Sequence, residues 1–117
     1  MPDERRARLE RAWARLEPLR LYSRPVRLDR VRLITLPLFF RLPLMRRYSG
    51  YTLWRTILLR RPLAEASDDL LTHELCHVWQ AQHRPVHVFL KWLTTSYREN
   101  PYEVEARRAV AETRPET

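Results

Sequence analysis

The sequence predicts an α+β fold, in which an N-terminal helix, a small twisted and mostly antiparallel sheet, a central helix and a C-terminal helix follow one another. Apolar residues at helical spacing near both ends of the chain, with alternating or β-branched runs between them, support this order. The chain has 117 residues, of which 44% are hydrophobic, and it is expected to form one folded domain, 1–117, because this length builds a single core.

The predicted first helix covers residues 2–16 and ends before Pro18, which cannot continue it. Its apolar side chains recur at helical spacing and define the face that packs on the domain: Leu9, Ala12, Trp13 and Leu16. The remaining positions are rich in Arg and Glu, as expected for the side that faces solvent.

The predicted sheet comes from two runs in the first half of the chain. Apolar and charged side chains alternate in residues 26–33, with a break near Asp29, and residues 51–59 are rich in aromatic and β-branched side chains. The intervening residues 35–49 contain two prolines and are predicted to form a loop with short extended pieces. Gly50, the only glycine, is predicted to mark a turn.

Three helices are predicted in the second half. The first follows Ser67, a good N-cap, and ends before Pro85, while residues 85–98 form the next one. The apolar side chains of that helix are expected to supply packing: Val88, Leu90, Trp92 and Leu93. Asn100 and Pro101 open the last helix, as N-cap and first-turn residue.

Composition limits the classes of partner. The formal net charge of +8 suits nucleic acid or an anionic membrane surface, but Lys91 is the only lysine and the arginines are scattered, so nucleic acid is not favoured. Cys76 is the only cysteine, which excludes an intrachain disulfide. The N-terminus is too charged for a signal peptide, and the apolar run over residues 33–45 is too short to span a bilayer. A cytoplasmic protein without a membrane span is expected.

The motif His-Glu-x-x-His occupies residues 73–77, in a segment without Gly or Pro that is predicted to be helical. His73 and His77 then lie one turn apart on one face, where two imidazoles can bind one zinc ion. Glu74 projects about 100° around the helix, from where it can act as general base on a water activated by the metal.

An accidental match to so short a motif is the alternative, because four histidines and fourteen acids allow one. Leu71, Leu75 and Val78 form an apolar stripe on the far side of the same helix. The helix therefore has a core face and a separate ligand face, which favours a metal site.

A catalytic zinc site takes three protein ligands and keeps one position open. His83 is turned about 80° away from the histidine pair, and His87 follows too closely, without a glycine that could turn the chain back. Glu103 and Glu105 in the last helix are better candidates, but they point to nearly opposite sides, so only one can be the ligand. Glu103 also stands where a capping-box Glu would lie.

The two motifs together resemble those of the gluzincins, the zinc metallopeptidases that include thermolysin, the CAAX-prenyl-processing membrane peptidases and the compact minigluzincins. In that group the histidine motif is followed downstream by a Glu-x-x-Ala segment, which matches residues 103–106 here, after the aromatic Tyr102. The resemblance implies a zinc cofactor, the catalytic residue Glu74 and three metal ligands: His73, His77 and Glu103. Glu105 remains the fallback ligand.

One position departs from the family pattern. Arg107 stands where the family usually has a carboxylate or amide that orients the first histidine, so either another acid supplies this contact or the site is weaker. The resemblance covers residues 51–109 in motif terms, and the N-terminal part matches only in architecture. It also implies that the strand over residues 51–59 binds substrate by adding it as an extra strand.

Further side chains are candidates for contacts around the metal or the substrate. Gln80 continues the ligand face one turn beyond His77, and Tyr97 or Tyr102 could stabilise an oxyanion beside zinc; ordinary solvation or packing is the alternative for each. Cys76 flanks the ligand face and is expected to behave as a small buried hydrophobe.

The sequence thus predicts a zinc-dependent metallopeptidase that hydrolyses a peptide or protein substrate, with narrow or latent activity compatible with so short a chain. Two alternatives stay open: a zinc-binding scaffold or regulatory domain without proteolytic activity, and a basic nucleic-acid-binding domain whose motif is accidental. Substrate specificity and oligomeric state follow from no pattern in the sequence.

Overall fold

A computed structural model describes residues 4–115 of the chain. Its helices are α1 (Glu4–Leu16), α2 (Asp68–His83), α3 (Pro85–Thr94) and α4 (Pro101–Thr113), and its strands are β1 (Arg32–Thr35), β2 (Gly50–Leu53) and β3 (Thr56–Leu59). The predicted α+β class and the predicted order of helices and sheet are confirmed. Residues 2 and 3, at the start of the predicted first helix, and residues 116 and 117 lie outside the described part.

The three strands form a mixed sheet in the order β1–β3–β2. β3 runs parallel to β1 and antiparallel to β2, so the expected antiparallel pairing holds for one of the two pairs. Residues 51–59, predicted as one strand, are a hairpin that turns at Trp54 and Arg55. Trp54 has a φ of 60°, a conformation that Gly or Asn usually adopts in such turns. Residues 51–59 contain neither Gly nor Asn, so the sequence gives no sign of the turn between the two strands.

Gly50 is the buried first residue of β2 and does not mark a turn. A Cβ atom at this position would lie 3.2 Å from Cδ1 of Leu70 and 3.4 Å from Cγ of Glu74. Glycine therefore eases the close approach of β2 to α2, because a Cβ would crowd the Leu70 side chain, and the prediction of a turn was wrong because this packing is tertiary.

The first predicted strand is shorter than expected. Within residues 26–33 the break near Asp29 is a 3₁₀ turn, Leu28–Arg30, and the strand begins only at Arg32. The predicted loop over residues 35–49 contains a further 3₁₀ helix, Pro37–Arg41.

Helix α2 lies at the centre of the core, because it packs against α1, α4 and β2. Its buried side chains include the whole predicted apolar stripe: Leu71, Leu75 and Val78. Trp79 joins α1 to this helix, since its ring meets that of Trp13 edge to face with 4.8 Å between centroids. The indole Nε1 of Trp79 donates to the carbonyl oxygen of Arg24 at 2.7 Å.

Helix α3 does not pack as predicted. None of its residues is buried, and Leu90, Trp92 and Leu93 are each about half exposed, at 49%, 55% and 57%. The prediction of a helix here is correct. The main contact of α3 is with α2, however, and most of its apolar side chains are exposed to solvent.

Among residues 4–115 no helix combines the length and the apolar character that crossing a bilayer requires.

A buried arginine anchors α1 to the segment that precedes α2. Arg8 donates to the carbonyl oxygen of Leu63 at 2.9 Å and to that of Ala66 at 2.5 Å, and it pairs with Asp68 at 3.1 Å. Because Arg8 is only 9% exposed, water cannot readily replace it as the donor to these oxygens.

Replacing Arg8 with Met should lower the free energy of unfolding by about 2–4 kcal/mol, because buried carbonyls and a carboxylate lose their donor. The matched control is Arg11→Met. Arg11 pairs with the same carboxylate of Asp68 at 3.0 Å, but its side chain is 60% exposed, so its loss should cost less than about 1 kcal/mol. Urea denaturation followed by circular dichroism measures both variants, and equal losses would contradict the anchoring role of Arg8.

Candidate metal centre

Both predicted N-caps are confirmed. The side chain of Ser67 caps α2 and that of Asn100 caps α4, each by accepting a backbone N–H. The two helices therefore begin at fixed residues. Helical spacing then places His73 and His77 on one face of α2, while Glu103 lies in the first turn of α4.

The structure brings His73, His77 and Glu103 together. The carboxylate oxygen Oε1 of Glu103 lies 3.1 Å from Nε2 of His73, and Oε2 lies 2.8 Å from Nε2 of His77. The two Nε2 atoms are 3.2 Å apart. One donor atom from each residue lies within 4.8 Å of the others, so this group could hold a metal ion.

The spacing of the donor atoms fits a tetrahedral ion. Two ligand atoms bound at about 2.0–2.1 Å on neighbouring corners of a tetrahedron are about 3.3 Å apart. The two imidazole nitrogens already have nearly this separation, at 3.2 Å. The contacts of Glu103 would lengthen by only about 0.2–0.5 Å, and imidazole with carboxylate is a donor set that suits a transition metal.

Gln80 fixes the orientation of His77. The side-chain nitrogen of Gln80 donates to the carbonyl oxygen of Tyr102 and to Oε1 of Glu105, each at 2.9 Å. Both partners are acceptors, so the amide must direct its own Oε1 toward His77, where it lies 2.8 Å from Nδ1. Nδ1 of His77 therefore carries a proton, and in the neutral imidazole Nε2 presents its lone pair to the metal position.

Glu105, the fallback ligand, has a different place. Its Oε1 accepts a hydrogen bond from the hydroxyl of Tyr22 at 2.6 Å as well as the one from Gln80. Glu105 thus supports the ligand His77 through Gln80, at one remove from the metal position. Tyr22 is distant from the motifs in the chain, and no pattern in the sequence connects it with them.

Glu103 does not act as a capping-box residue. In a capping box its carboxylate would accept a hydrogen bond from the backbone N–H of Asn100, but that N–H donates to the carbonyl oxygen of Ser96 at 2.9 Å. The carboxylate of Glu103 therefore faces α2.

Arg107, which stands where the gluzincin pattern has a carboxylate or amide, approaches the carboxylate of Glu103 at 4.0 Å. It also donates to the carbonyl oxygen of Arg98 at 2.9 Å. A cation therefore lies beside the candidate ligand Glu103.

Glu74 is held beside this group by a residue that the sequence motifs do not reveal. The hydroxyl of Thr52 in β2 lies 2.8 Å from Oε1 of Glu74 and 3.0 Å from its backbone oxygen. Glu74 is 5% exposed, and its position depends on the close approach of β2 at Gly50. No spacing rule links a strand threonine to the helix motif, so only the fold reveals the contact.

A cleft of about 440 Å³ adjoins the three grouped side chains. Its lining includes five of the predicted site residues: Glu74, His77, Tyr97, Tyr102 and Glu103. β2 contributes Tyr51 and Thr52 to the lining, and α3 contributes Val88 and Trp92. His73 borders an adjoining depression together with Tyr97.

The two candidate phenols have different partners. The hydroxyl of Tyr102 makes a short hydrogen bond with Nδ1 of His87, which ties α3 to α4. Burial, the negative charge of Glu103 and a hydrogen bond to that carboxylate raise the pKa of Tyr97, so its hydroxyl stays protonated at neutral pH. Tyr97 therefore donates toward the candidate ligand Glu103, whereas Tyr102 is paired with His87.

Cys76 is fully buried, as expected for a small hydrophobe. Burial raises the pKa of its thiol, and the nearby carboxylate of Glu105 adds to this effect. The thiol therefore stays protonated at neutral pH.

His77 and Glu103 shift each other's pKa values. Burial alone would lower the pKa of His77, but its hydrogen bond to Glu103 and the charge of that carboxylate outweigh burial and raise the pKa to about 9. Burial likewise would raise the pKa of Glu103, yet the hydrogen bonds from His73 and His77 lower it well below its ordinary range. Without metal, a proton on His77 therefore neutralises the carboxylate, and a bound metal would take its place.

Comparisons of the chain with protein-family models, with curated proteins and with solved structures gave no match. The assignment of a metal centre therefore depends on the residues and distances given above.

Removing Glu103 should abolish metal binding, whereas removing Glu105 should weaken it by about tenfold to a hundredfold, because Glu105 acts only through Gln80. Elemental analysis of purified Glu103→Ala and Glu105→Ala, beside the unmodified chain, measures the metal content. Retention of a full equivalent of metal by Glu103→Ala would contradict the ligand set.

The metal-free protein should lose stability as the pH rises through about 9. The pKa of His77 is raised from 6.5 in the unfolded chain to about 9 in the folded one, so its contribution is complete below pH 6.5 and is lost above 9. We expect a loss on the order of 2 kcal/mol between these limits, measured by urea denaturation with a chelator present. Glu103→Gln, which lacks the charge, should show little pH dependence over this range, and an equal slope in both proteins would contradict the assignment.

Proposed function

We propose that the chain is a zinc-dependent metallopeptidase of gluzincin type. His73, His77 and Glu103 hold the zinc ion, and Glu74 is the general base for hydrolysis of a peptide bond. The observation that carries this proposal is that three suitable ligands form one group beside a cleft, which a separate carboxylate, restrained by a strand, also lines.

Zinc is the metal that fits this arrangement best. Two imidazoles and one carboxylate leave the fourth tetrahedral position open, as catalytic zinc sites do. When bound, zinc supplies a Lewis acid that lowers the pKa of water and polarises the carbonyl group of the substrate. The same donors also bind iron, so elemental analysis has to measure both metals.

Glu74 is placed to accept and return a proton. The hydroxyl of Thr52 engages Oε1 of Glu74 and restrains the carboxylate, which lines the cleft beside His77. From there it can take a proton from water during attack and deliver that proton to the leaving amine. The hydroxyl of Tyr97, also in the cleft, would have to turn from Glu103 to donate to the oxyanion that develops on the carbonyl.

The edge of the sheet gives an extended substrate a place to bind. The carbonyl oxygen of Ser49 accepts from the backbone N–H of Arg60 across the hairpin. Backbone groups alternate in direction along a strand, so those of Gly50 and Thr52 point away from β3 toward the open edge. Both residues line the cleft. Of the expected substrate-binding segment, residues 51–59, only the β2 part lies at an edge, because β3 is central.

Glu74→Gln should lower peptide hydrolysis by about 10²–10⁴-fold while zinc content stays unchanged, because the variant loses the base and keeps the ligands. Hydrolysis of a mixed peptide library, followed by mass spectrometry, measures the activity whatever residues the cleft prefers around the cleaved bond.

Thr52→Val is a useful companion, because it removes the hydroxyl that restrains Glu74 and keeps the shape of the side chain. Its activity should fall less than that of Glu74→Gln. If the unmodified protein binds a full equivalent of zinc and cleaves nothing, the non-proteolytic scaffold replaces the peptidase. If it binds no zinc after reconstitution, the enzyme proposal fails altogether.

A further inference from the structure

Two segments that contribute residues to the cleft expose many large apolar side chains. Among the described residues, fourteen large hydrophobic side chains are exposed, and thirteen of them lie in residues 34–54 and 86–97. Val104 on α4 is the exception. Single exposed apolar residues are ordinary, but a concentration of this kind marks a surface that contacts another apolar phase or molecule.

These two segments meet at the cleft. The indole Nε1 of Trp92 donates to the hydroxyl of Tyr51 at 2.5 Å, and the ring of Phe39 lies against that of Tyr51 with 6.0 Å between centroids. Leu44 and Trp54 line the same cleft as Trp92. We call the exposed apolar side chains of residues 34–54 and 86–97 the apolar rim.

The chain segments that bear the apolar rim carry charge of one sign. Residues 30–64 and 84–98 contain eleven of the twenty-two Lys and Arg residues and none of the fourteen acids. The rest of the chain therefore carries a net negative charge, and the whole positive excess belongs to the segments that bear the rim. The arginines are scattered along the sequence, but the acids are absent from these two stretches.

We propose that the apolar rim is a peripheral interface for an anionic phospholipid bilayer. Its Trp, Phe and Leu side chains enter the boundary between headgroups and acyl chains, while the Arg and Lys residues of the same segments lie against the lipid phosphates. This interface does not depend on the proposed peptidase activity.

Other occupants of the rim fit the observations less well. A second copy of the chain in a two-fold dimer would bring the same positive charges together. A nucleic acid would use the basic and aromatic residues, but the most exposed rim side chains are aliphatic: Leu38 at 69%, Leu44 at 77% and Val86 at 70%. A lipid surface is the partner that accepts aliphatic side chains and cations together.

The test uses the full chain and vesicles of phosphatidylcholine with about 30% phosphatidylserine, compared with phosphatidylcholine alone. Cosedimentation at low ionic strength should show binding to the anionic vesicles, with at least about tenfold weaker binding to the neutral ones. Brominated lipid should also quench part of the tryptophan fluorescence, because Trp54 and Trp92 are exposed, whereas Trp79 is in the core and Trp13 packs against it. Trp54→Phe with Trp92→Phe should remove most of this quenching.

Matched variants separate the two contributions. Phe89→Ser with Leu93→Ser, both on the exposed side of α3, should weaken vesicle binding at least about tenfold, whereas Val104→Ser should leave it unchanged within about twofold. Arg41→Gln with Arg55→Gln should weaken binding about tenfold or more at low salt, because each basic residue near an anionic surface contributes about fivefold.

Three results would overturn the proposal. The first is no binding to anionic vesicles at low ionic strength. The second is vesicle binding that the double variant Phe89→Ser, Leu93→Ser does not weaken, which would show attraction by charge alone. The third is dimerisation in sedimentation experiments that this pair abolishes, without vesicle binding, which would assign the rim to a second copy. Glu74→Gln should bind vesicles like the unmodified chain, so failure of the peptidase and failure of the interface are distinguishable.

Discussion

The burial of Glu103 between His73 and His77 is the contact on which the arrangement of α2 and α4 depends. A carboxylate with 14% side-chain exposure is costly unless a positive partner compensates it, and two imidazoles can do so through a proton or through a metal ion. Gln80 adds a second connection, because it bonds the first turn of α4 at Tyr102 and also orients His77. The contacts around His77 and Glu103 therefore both join the two helices and shape the candidate metal centre.

A second constraint acts from the other side of α2. This helix is packed by α1, α3, α4 and the sheet, and its side with Glu74 and His77 lines the cleft beside the edge strand β2. Gly50 lets the edge strand approach closely, and Thr52 can then reach Glu74. The helices thus supply the candidate ligands, and β2 restrains Glu74 of α2 through Thr52. In the proposed peptidase, a peptide paired with the edge of β2 would therefore lie beside Glu74.

Local rules predicted much of this arrangement. The motif spacing, the N-caps Ser67 and Asn100, and the order of elements follow from periodicity and capping, which act within a few residues. The turn at Trp54 could not be predicted, because no Gly or Asn marks it. The role of Gly50 is set by α2, which is remote in the chain, and apolar composition alone does not say whether a side chain of α3 meets the core or solvent.

The exposed face of α3 relates the cleft to the apolar rim. Trp92 belongs to both, since it lines the cleft and bonds Tyr51 of the edge strand. If the rim lies on a bilayer, the cleft opens at the membrane surface, and in the proposed peptidase substrate and lipid would contact neighbouring faces of α3. This position would explain why a helix that packs on α2 along one side leaves Phe89, Trp92 and Leu93 more than half exposed.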